Sequence, residues 1–342
     1  MRIGIDVMGG DHAPQEITAG CLEVLDRLPE GDQLVLAGPA DLVKEQLEAG
    51  GYTTAEPRIK LLDTPEVIGM DESPVEAVRS KRSSSIVELA HLASPKASEE
   101  ERIDAWVSAG NTGACVTAAS MYMRRLPGVL RPGIVVTIPT FSGTIVLVDV
   151  GANIEPKPHH LAQYGVMGAI YAQGVLGIEN PRVALMNVGG EEQKGTADMQ
   201  QARDLLRATP AIDFQGYIEG RAVFDGGADV VITDGVVGNV MLKLAEGLSS
   251  NITKALVQEV IETDPDLGSR IMPVVEKLYA KYDWHEYGGA PLMGANGYCL
   301  ISHGSSKART IKNAILRARS FVEADLNARL VERLRAQEEI TA

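Results

Sequence analysis

The sequence predicts an α/β protein whose mostly parallel sheet carries helices on both faces, and three observations support this. Seven apolar, β-rich runs each end in glycine or a polar turn and then pass into a helix-like pattern: RIGIDVMGG, QLVLAG, AWVSAGNTG, TIVLVDVGAN, RVALMNVGG, DVVITDGVVGN and YCLISHGSS. Alternating strands and helices build such a sheet. The composition is 45% hydrophobic but only 4% aromatic, which suits strands buried on both faces in a core of Val, Ile, Leu and Ala. A length of 342 residues accommodates one large domain or two modest ones. We expect a single catalytic domain over 1–342, with a helical hairpin protruding at about 245–283.

Along the chain, SPKASEEERID (94–104) is an exposed turn between a helix ending near Ala93 and the strand at Ala105. The uncharged run PGIVVTIPTFSGTIVLV (132–148) is broken by prolines, threonines and Ser142-Gly143. It reads as a β-hairpin and not as a membrane span. From Val240 to Tyr282 the pattern is helical, with TDPDLG (263–268) as an αα-hairpin tip. Ile311, Ile315, Ala318, Val322, Leu326, Leu330 and Leu334 then define one apolar face of a long helix. Residues 305–336 carry eight Lys/Arg against three Asp/Glu. That basic stretch is either an ordinary solvated face or a docking strip for an acidic partner.

The formal charge of −14 repels polyanions, so a general nucleic-acid role is not expected. Cys21, Cys115 and Cys299 are far apart, with no C-x-x-C pair and no His/Cys cluster at metal spacing; they read as reduced, cytosolic thiols. No metal and no cofactor is expected. MRIGIDVMGGDHAP reaches an acidic residue and paired glycines at once, unlike a signal peptide.

The chain lacks G-x-x-x-x-G-K-[ST], a strand-linked G-x-G-x-x-G, H-E-x-x-H and G-x-S-x-G, so the usual support for nucleotide hydrolysis, dinucleotide binding, zinc proteolysis and nucleophile-elbow hydrolysis is absent. What it has instead are polar side chains in glycine-bordered loops ahead of helices. GEEQKGT (190–196) places Lys194 before a helix whose first N–H groups can bind an anion; equally, it is a plain helix start with an exposed lysine. SAGNTGA (108–114) offers Asn111 and Thr112 between Gly110 and Gly113, as ligands or as helix caps. TDGVVGNVMLK (233–243) repeats the arrangement with Asp234, Gly235, Asn239 and Lys243. MGGDHAP (8–14) does so with Gly9, Gly10, Asp11 and His12. GGAPLMGANGYCLISHGSS (288–306) has no Lys, Arg, Asp or Glu, so a ligand there is held by backbone N–H groups, His303, Ser305 and Ser306. Ligands of open α/β sheets bind beyond the carboxyl ends of strands, and these corners are expected to face one crevice.

Taken together, MGGDHAP, SAGNTGA, DVGAN, NVGGEEQKG, TDGVVGNVMLK, GGAPLMGANG and HGSS closely resemble the phosphate acyltransferases of bacterial phospholipid synthesis (the PlsX type), from Met1 to about Lys312. The resemblance implies a three-layer α/β/α fold similar to phosphotransacetylases and isocitrate-dehydrogenase-like enzymes, and a homodimer. It implies transfer of a fatty acyl group from acyl-[acyl carrier protein] to orthophosphate, giving acyl phosphate. It also implies a cytoplasmic enzyme in peripheral contact with the inner face of the membrane, where a glycerol-phosphate acyltransferase consumes the product.

That chemistry suits these residues. A thioester is already activated, and phosphate near neutral pH needs little deprotonation, so no Ser/His/Asp triad is required. The protein must orient phosphate, polarise the carbonyl and exclude water. On this reading Lys194, Asn111 and Thr112 clamp phosphate, Asn239 and Asp234 orient the reacting groups, and His303 or His12 donates a hydrogen bond or proton. Gly9, Gly10, Asp11, Gly113, Asn153, Gly235, Lys243, Gly289 and Asn296 complete the substrate site, and Ser305 and Ser306 cap the last helix. A covalent acyl-enzyme on Cys115 is the competing route.

Two positions depart from the family pattern. Glu259, Glu262, Asp264 and Asp266 crowd a hairpin tip that a membrane-touching element would keep apolar and basic, although Ile271, Met272, Val274, Val275 and Leu278 still offer an apolar face. Ala222 stands where a polar residue is expected. The rival readings are a phosphotransacetylase-like enzyme using acyl-CoA and a non-catalytic membrane scaffold.

Overall fold

The computed structural model describes all residues except 54, 55, 283–287 and 342; the side chains of 279–282 and 337–341 are likewise outside the description. The strands are β1 (Arg2–Asp6), β2 (Gln33–Gly38), β3 (Ile59–Asp63), β4 (Ala105–Ser108), β5 (Gly133–Thr140), β6 (Gly143–Val148), β7 (Arg182–Met186), β8 (Asp213–Ile218), β9 (Val230–Ile232), β10 (Ala290–Met293) and β11 (Tyr298–Ile301). The helices are α1 (Gln15–Val24), α2 (Ala40–Ala49), α3 (Pro74–Ser80), α4 (Ser85–Leu92), α5 (Thr112–Ala118), α6 (Pro158–Leu176), α7 (Ala197–Arg207), α8 (Gly220–Phe224), α9 (Gly235–Thr263), α10 (Pro265–Tyr282), α11 (Ala308–Glu323) and α12 (Leu326–Thr341).

The strands form one sheet in the order β3-β2-β1-β4-β11-β10-β5-β6-β9-β7-β8. β3, β2, β1, β4 and β11 are parallel, as are β6, β9, β7 and β8 among themselves. Between the two blocks, β11–β10, β10–β5 and β5–β6 are antiparallel. Three reversals in succession make the second block run against the first. The mostly parallel three-layer sandwich is therefore as expected, but the corners do not share a crevice for the simple reason that all strands point one way.

Burial on both faces follows from the apolar runs. In β2, Leu34 and Leu36 join one core layer while Val35 and Ala37 join the other, the alternation that a strand's period of two imposes. The run 132–148 is the expected hairpin, with Val135 opposite Val148 and Thr140 opposite Gly143. Ala222 of α8 packs against the second core layer, which accounts for an apolar side chain at that position.

The long terminal helix is two helices. Asp325 has φ 47°, a left-handed conformation that Asp tolerates, and it separates α11 from α12. Ile311, Ile315, Ala318, Leu326, Leu330 and Leu334 are all buried, so the apolar spacing continues across a break that periodicity alone does not reveal. The αα-hairpin tip falls where expected: Asp264 accepts hydrogen bonds from the N–H groups of Asp266 and Leu267, each at 3.0 Å. α9 begins ten residues before the expected hairpin start, and the expected end at 283 lies outside the described residues. Beyond Gly235 and Gly238 no residue of α9 is buried. Among the described residues, no helix is long and apolar enough to cross a membrane.

α9 lies so close to the sheet that a Cβ on Gly238 would collide with the Asp149 carbonyl oxygen and meet Thr233 Cγ2 at 2.9 Å. Gly238→Ala is therefore expected to destabilise the fold by about 1–3 kcal/mol, the usual cost of overpacking, read as a lowered urea midpoint with an unchanged slope.

Candidate active site

Among the described residues, β5 pairs with β10 only through Gly133 and Ile134, and its edge from Val135 to Thr140 has no strand partner on that side. There the sheet opens into a cavity of about 510 Å³, lined on β5 by Ile134, Val135, Val136 and Thr137. Successive strand residues face opposite layers, so a cavity touching four in a row wraps around the strand edge. It is bounded in one layer by Asn239, Leu242, Lys243 and Glu246 of α9, and in the other by Tyr171 of α6 and Arg317 of α11. The steps of three and four between the α9 residues put one helical face over the opening. The glycine-rich stretch 288–306 folds as the β10–β11 hairpin, and both of its ends, Gly288–Ala290 and Ile301–Gly304, line the cavity.

Buried carboxylates fix the loops. Asp6 accepts hydrogen bonds from the hydroxyls of Ser85 and Ser108, each at 2.6 Å, and from the Met8 N–H. Ser108 Oγ in turn accepts the Gly110 N–H at 3.0 Å, so one carboxylate holds the turns after β1 and β4 together. The Asp11 N–H donates to the Gly304 carbonyl at 2.7 Å, joining the β1 and β11 corners. This approach requires Gly10: its φ is +107°, and a Cβ would meet the same carbonyl at 2.9 Å. Burial raises the Asp6 carboxyl above its ordinary range despite the three donors. Asp149 plays the same part after β6, accepting from the N–H groups of Ile134, Ala152 and Asn153 at 2.8, 3.2 and 2.7 Å.

Of the residues expected from sequence, the cavity brings together Asp11, Thr112, Gly113, Asn239, Lys243, Gly289 and His303. The others serve the architecture or stand apart. Asn111 caps α5, accepting the Ala114 N–H at 3.0 Å, while its Nδ2 donates to the carbonyls of Gly69, Met70 and Glu72; its capacity is spent, leaving nothing for phosphate. Asp234 caps α9, accepting from Val236 and Val237 at 2.9 Å each. Asn153 donates to the Pro132 carbonyl at 2.7 Å, and its own carbonyl receives the Gly235 N–H at 2.8 Å. Asn296 sits in the turn joining β10 to β11, at the far end of the hairpin from Gly289.

Gly9 packs against Asp6. His12 is exposed and Lys194 is exposed in the turn after β7; neither lines the cavity, so Lys243 and not Lys194 is the lysine beside it. Ser305 and Ser306 do not cap α11, whose N-cap is Lys307. Ser305 instead holds His303, with Oγ 2.8 Å from Nδ1. Cys115 is fully buried and burial pushes its thiol up to about 12, which deprives a covalent acyl-enzyme of its thiolate.

Sequence reasoning missed Ser302, Glu246, Tyr171 and Arg317. Ser302 Oγ and Glu246 Oε1 are buried without a hydrogen-bond partner although both residues line the cavity, the condition of groups awaiting a ligand. Tyr171 OH lies 3.0 Å from Thr137 Oγ1 and receives Arg317 Nη1 at 3.0 Å. Burial, with help from the Lys243 ammonium and against Asp11, holds His303 below the ordinary imidazole range. The ring is therefore neutral near pH 7. Because Nδ1 accepts the Ser305 N–H at 3.3 Å, the network assigns the proton to Nε2.

The family model described as "Fatty acid synthesis protein" matches residues 1–329. The chain is 43% identical to the phosphate acyltransferase of Desulforamulus reducens over 98% of this chain and 97% of that one. It is 44% identical to that of Desulfitobacterium hafniense over 95% of each. Among solved structures, a phosphotransacetylase from Streptococcus pyogenes superposes with a TM-score of 0.65 over 94% of both chains at 17% identity, a likeness of fold.

The three carbonyls that Asn111 holds belong to segment 69–72, from which Met70 reaches the cavity. Asn111→Asp keeps the cap but forfeits those donations, so we expect faster amide exchange in 69–72 and a loss of about 1–3 kcal/mol from unsatisfied groups.

Proposed function

Since the chain belongs to the fatty acid synthesis protein family and is an enzyme of the phosphate acyltransferase type, we propose that its acyl donor is the thioester of an acyl-[acyl carrier protein]. Orthophosphate is the acceptor, and acyl phosphate for phospholipid synthesis is the product. The observation that supports this best is the cavity at the split in the sheet. It pairs apolar walls from Ile134, Val135, Val136, Leu242 and Ile301 with Lys243, a neutral imidazole and glycine-bordered backbone. The first suits an acyl chain and the second an anion and a developing oxyanion. A Ser–His pair exists in Ser305 and His303, but Ser305 does not line the cavity, and a direct attack by phosphate needs no such nucleophile.

In this reading Lys243 takes the phosphate-binding role expected of Lys194, aided by Thr112 and the Gly113 and Gly289 backbone. Asn239 orients phosphate, and His303 Nε2–H donates to the thioester oxygen as it becomes an oxyanion. The enzyme works in the cytoplasm as a homodimer. The exposed apolar row Val240, Leu244, Leu248, Ile252 and Leu256 on α9 suits a second copy. Contact with an anionic membrane, and with a downstream glycerol-phosphate acyltransferase there, would go through exposed Val274 and Leu278, because the acidic tip is repelled.

Carrier docking falls to few side chains of the basic terminal stretch. Lys312 pairs with Glu23, Arg319 with Asp32 and Glu323, and Arg333 with the Ala211 carbonyl. Arg329 and Arg335 are exposed on α12 and are the better candidates. An acyl-CoA enzyme would not use them.

Incubation of the enzyme with acyl-carrier thioester is expected to release free carrier thiol above the enzyme-free background only when phosphate is present; no phosphate-dependent release would favour the scaffold reading. Lys243→Ala should lower kcat/KM for phosphate by about 10–100-fold, the scale of a lost charge-assisted contact, and Lys194→Ala by less. Charge reversal at Arg329 and Arg335 is expected to raise KM for the carrier substrate several-fold at low salt while leaving kcat and the rate with matched acyl-CoA unchanged.

A further inference from the structure

Resting on the transfer reaction above, we propose that Glu246 is the general acid that protonates the departing carrier sulfur. Glu246 sits one turn beyond Lys243 on the α9 face that covers the cavity. Its Oε1 is buried and has no hydrogen-bond partner. A carboxyl group placed without a partner beside a substrate cavity either repels an anionic substrate or carries a proton to it. Burial decides between these, raising its pKa to about 7 against the lowering influence of Lys243. Near neutral pH a substantial fraction therefore carries the proton, where a general acid is most effective. The other charged or titratable groups lining the cavity among the described residues are Asp11, Tyr171, Lys243, His303 and Arg317, of which Tyr171 and Arg317 are bonded to each other. His303 is already assigned as a neutral donor, and the lysine ammonium is engaged by phosphate.

The step balances without an added reagent. A phosphate oxygen of HPO₄²⁻ forms the new C–O bond, giving a tetrahedral oxyanion. Its collapse breaks the C–S bond, and the sulfur takes the Glu246 proton to leave as a thiol. The acyl phosphate retains the phosphate hydroxyl proton, which is now far more acidic, and returns it to the Glu246 carboxylate. Substrate dianion and thioester become product dianion and thiol, and the enzyme is reset.

A general acid matters in proportion to the basicity of the leaving thiolate. The test compares an alkyl (pantetheine-type) thioester with an aryl thioester of the same acyl chain, whose thiolate departs without a proton. Enzyme- and phosphate-dependent release of the thiol, each donor corrected for its enzyme-free background, is the readout. For wild type, the alkyl-to-aryl rate ratio should fall as pH rises through about 7; taking the ratio cancels the ionisation of phosphate, and a flat ratio would refute the proposal. Glu246→Gln should lose at least about 100-fold with the alkyl donor, the scale of general acid catalysis, keep the aryl rate within a few-fold, and abolish the pH trend. Equal losses with both donors would mean a binding or structural role and overturn it. If the variant does not fold, the wild-type ratio still decides. Absence of phosphate-dependent thiol release by wild type with either donor would instead count against the acyl transfer itself.

Discussion

The site depends on an interruption in hydrogen bonding between two strands. β10 has four residues and meets the eight-residue β5 at only two of them, so among the described residues the ladder stops short of the rest of β5. Side chains of both layers reach the gap. A fully laddered sheet would have kept α6 and α11 apart from α9. Here residues from all three helices border one space, because the barrier between the layers is missing for a few residues. The reversal of strand direction across β10, β5 and β6 has a related effect. α9 runs back along the sheet from the end of β9, and that return carries Asn239, Lys243 and Glu246 to the gap.

An opening of this kind requires rigid borders, and each block supplies a buried carboxylate. Asp6 ends β1 and gathers the β1 and β4 corners; Asp149 follows β6 and holds the next turn to the start of β5. Burial raises both above the ordinary carboxyl range. By linkage their stabilising contribution is greatest at low pH and is lost as pH rises through the folded-state pKa. The hydrogen-bond donors around each offset that cost at neutral pH. Their retention is reasonable if the return is a preorganised site, since loops held by buried carboxylates do not have to order when substrate arrives.

Much of the fold was legible in the sequence because buried strands with glycine-marked ends leave strong local signals. The hairpin over 132–148, the tip at 263–268 and the apolar face from Ile311 to Leu334 were all recognisable from periodicity and turn chemistry. The strand reversal was not, because it depends on which strands neighbour which. The split of the terminal helix turns on the φ of Asp325 alone, and the spacing of apolar residues is the same on either side. The site was legible in its loops and less so in its roles. Asn111 and Asp234 are the side chains that suit an anion and equally those that cap a helix, and only their partners show that they cap. Glu246 and Arg317 lie inside helices with no motif around them. A helical step of three from Lys243 was the one available signal for Glu246.

The electrostatics of the cavity limit how catalysis can arise in it. The nucleophile and the product both carry two negative charges, so a cation that grips one grips the other, and binding both equally does not raise the rate of the chemical step. What distinguishes the transition state is the charge that develops first on the thioester oxygen and then on sulfur. Groups that respond to that charge need to be uncharged donors, which gain little from the ground-state dianion yet strengthen as the new charge appears. On the proposed assignment, a His303 ring kept neutral by burial and by Lys243, and a Glu246 carboxyl that burial leaves partly protonated near pH 7, are donors of this type. On that assignment Lys243 holds the dianion and neutral donors meet the charge that moves, while Arg317, the second cation at the cavity, is bonded to the Tyr171 hydroxyl. More cations would tighten the hold on phosphate and acyl phosphate alike and slow release of the product.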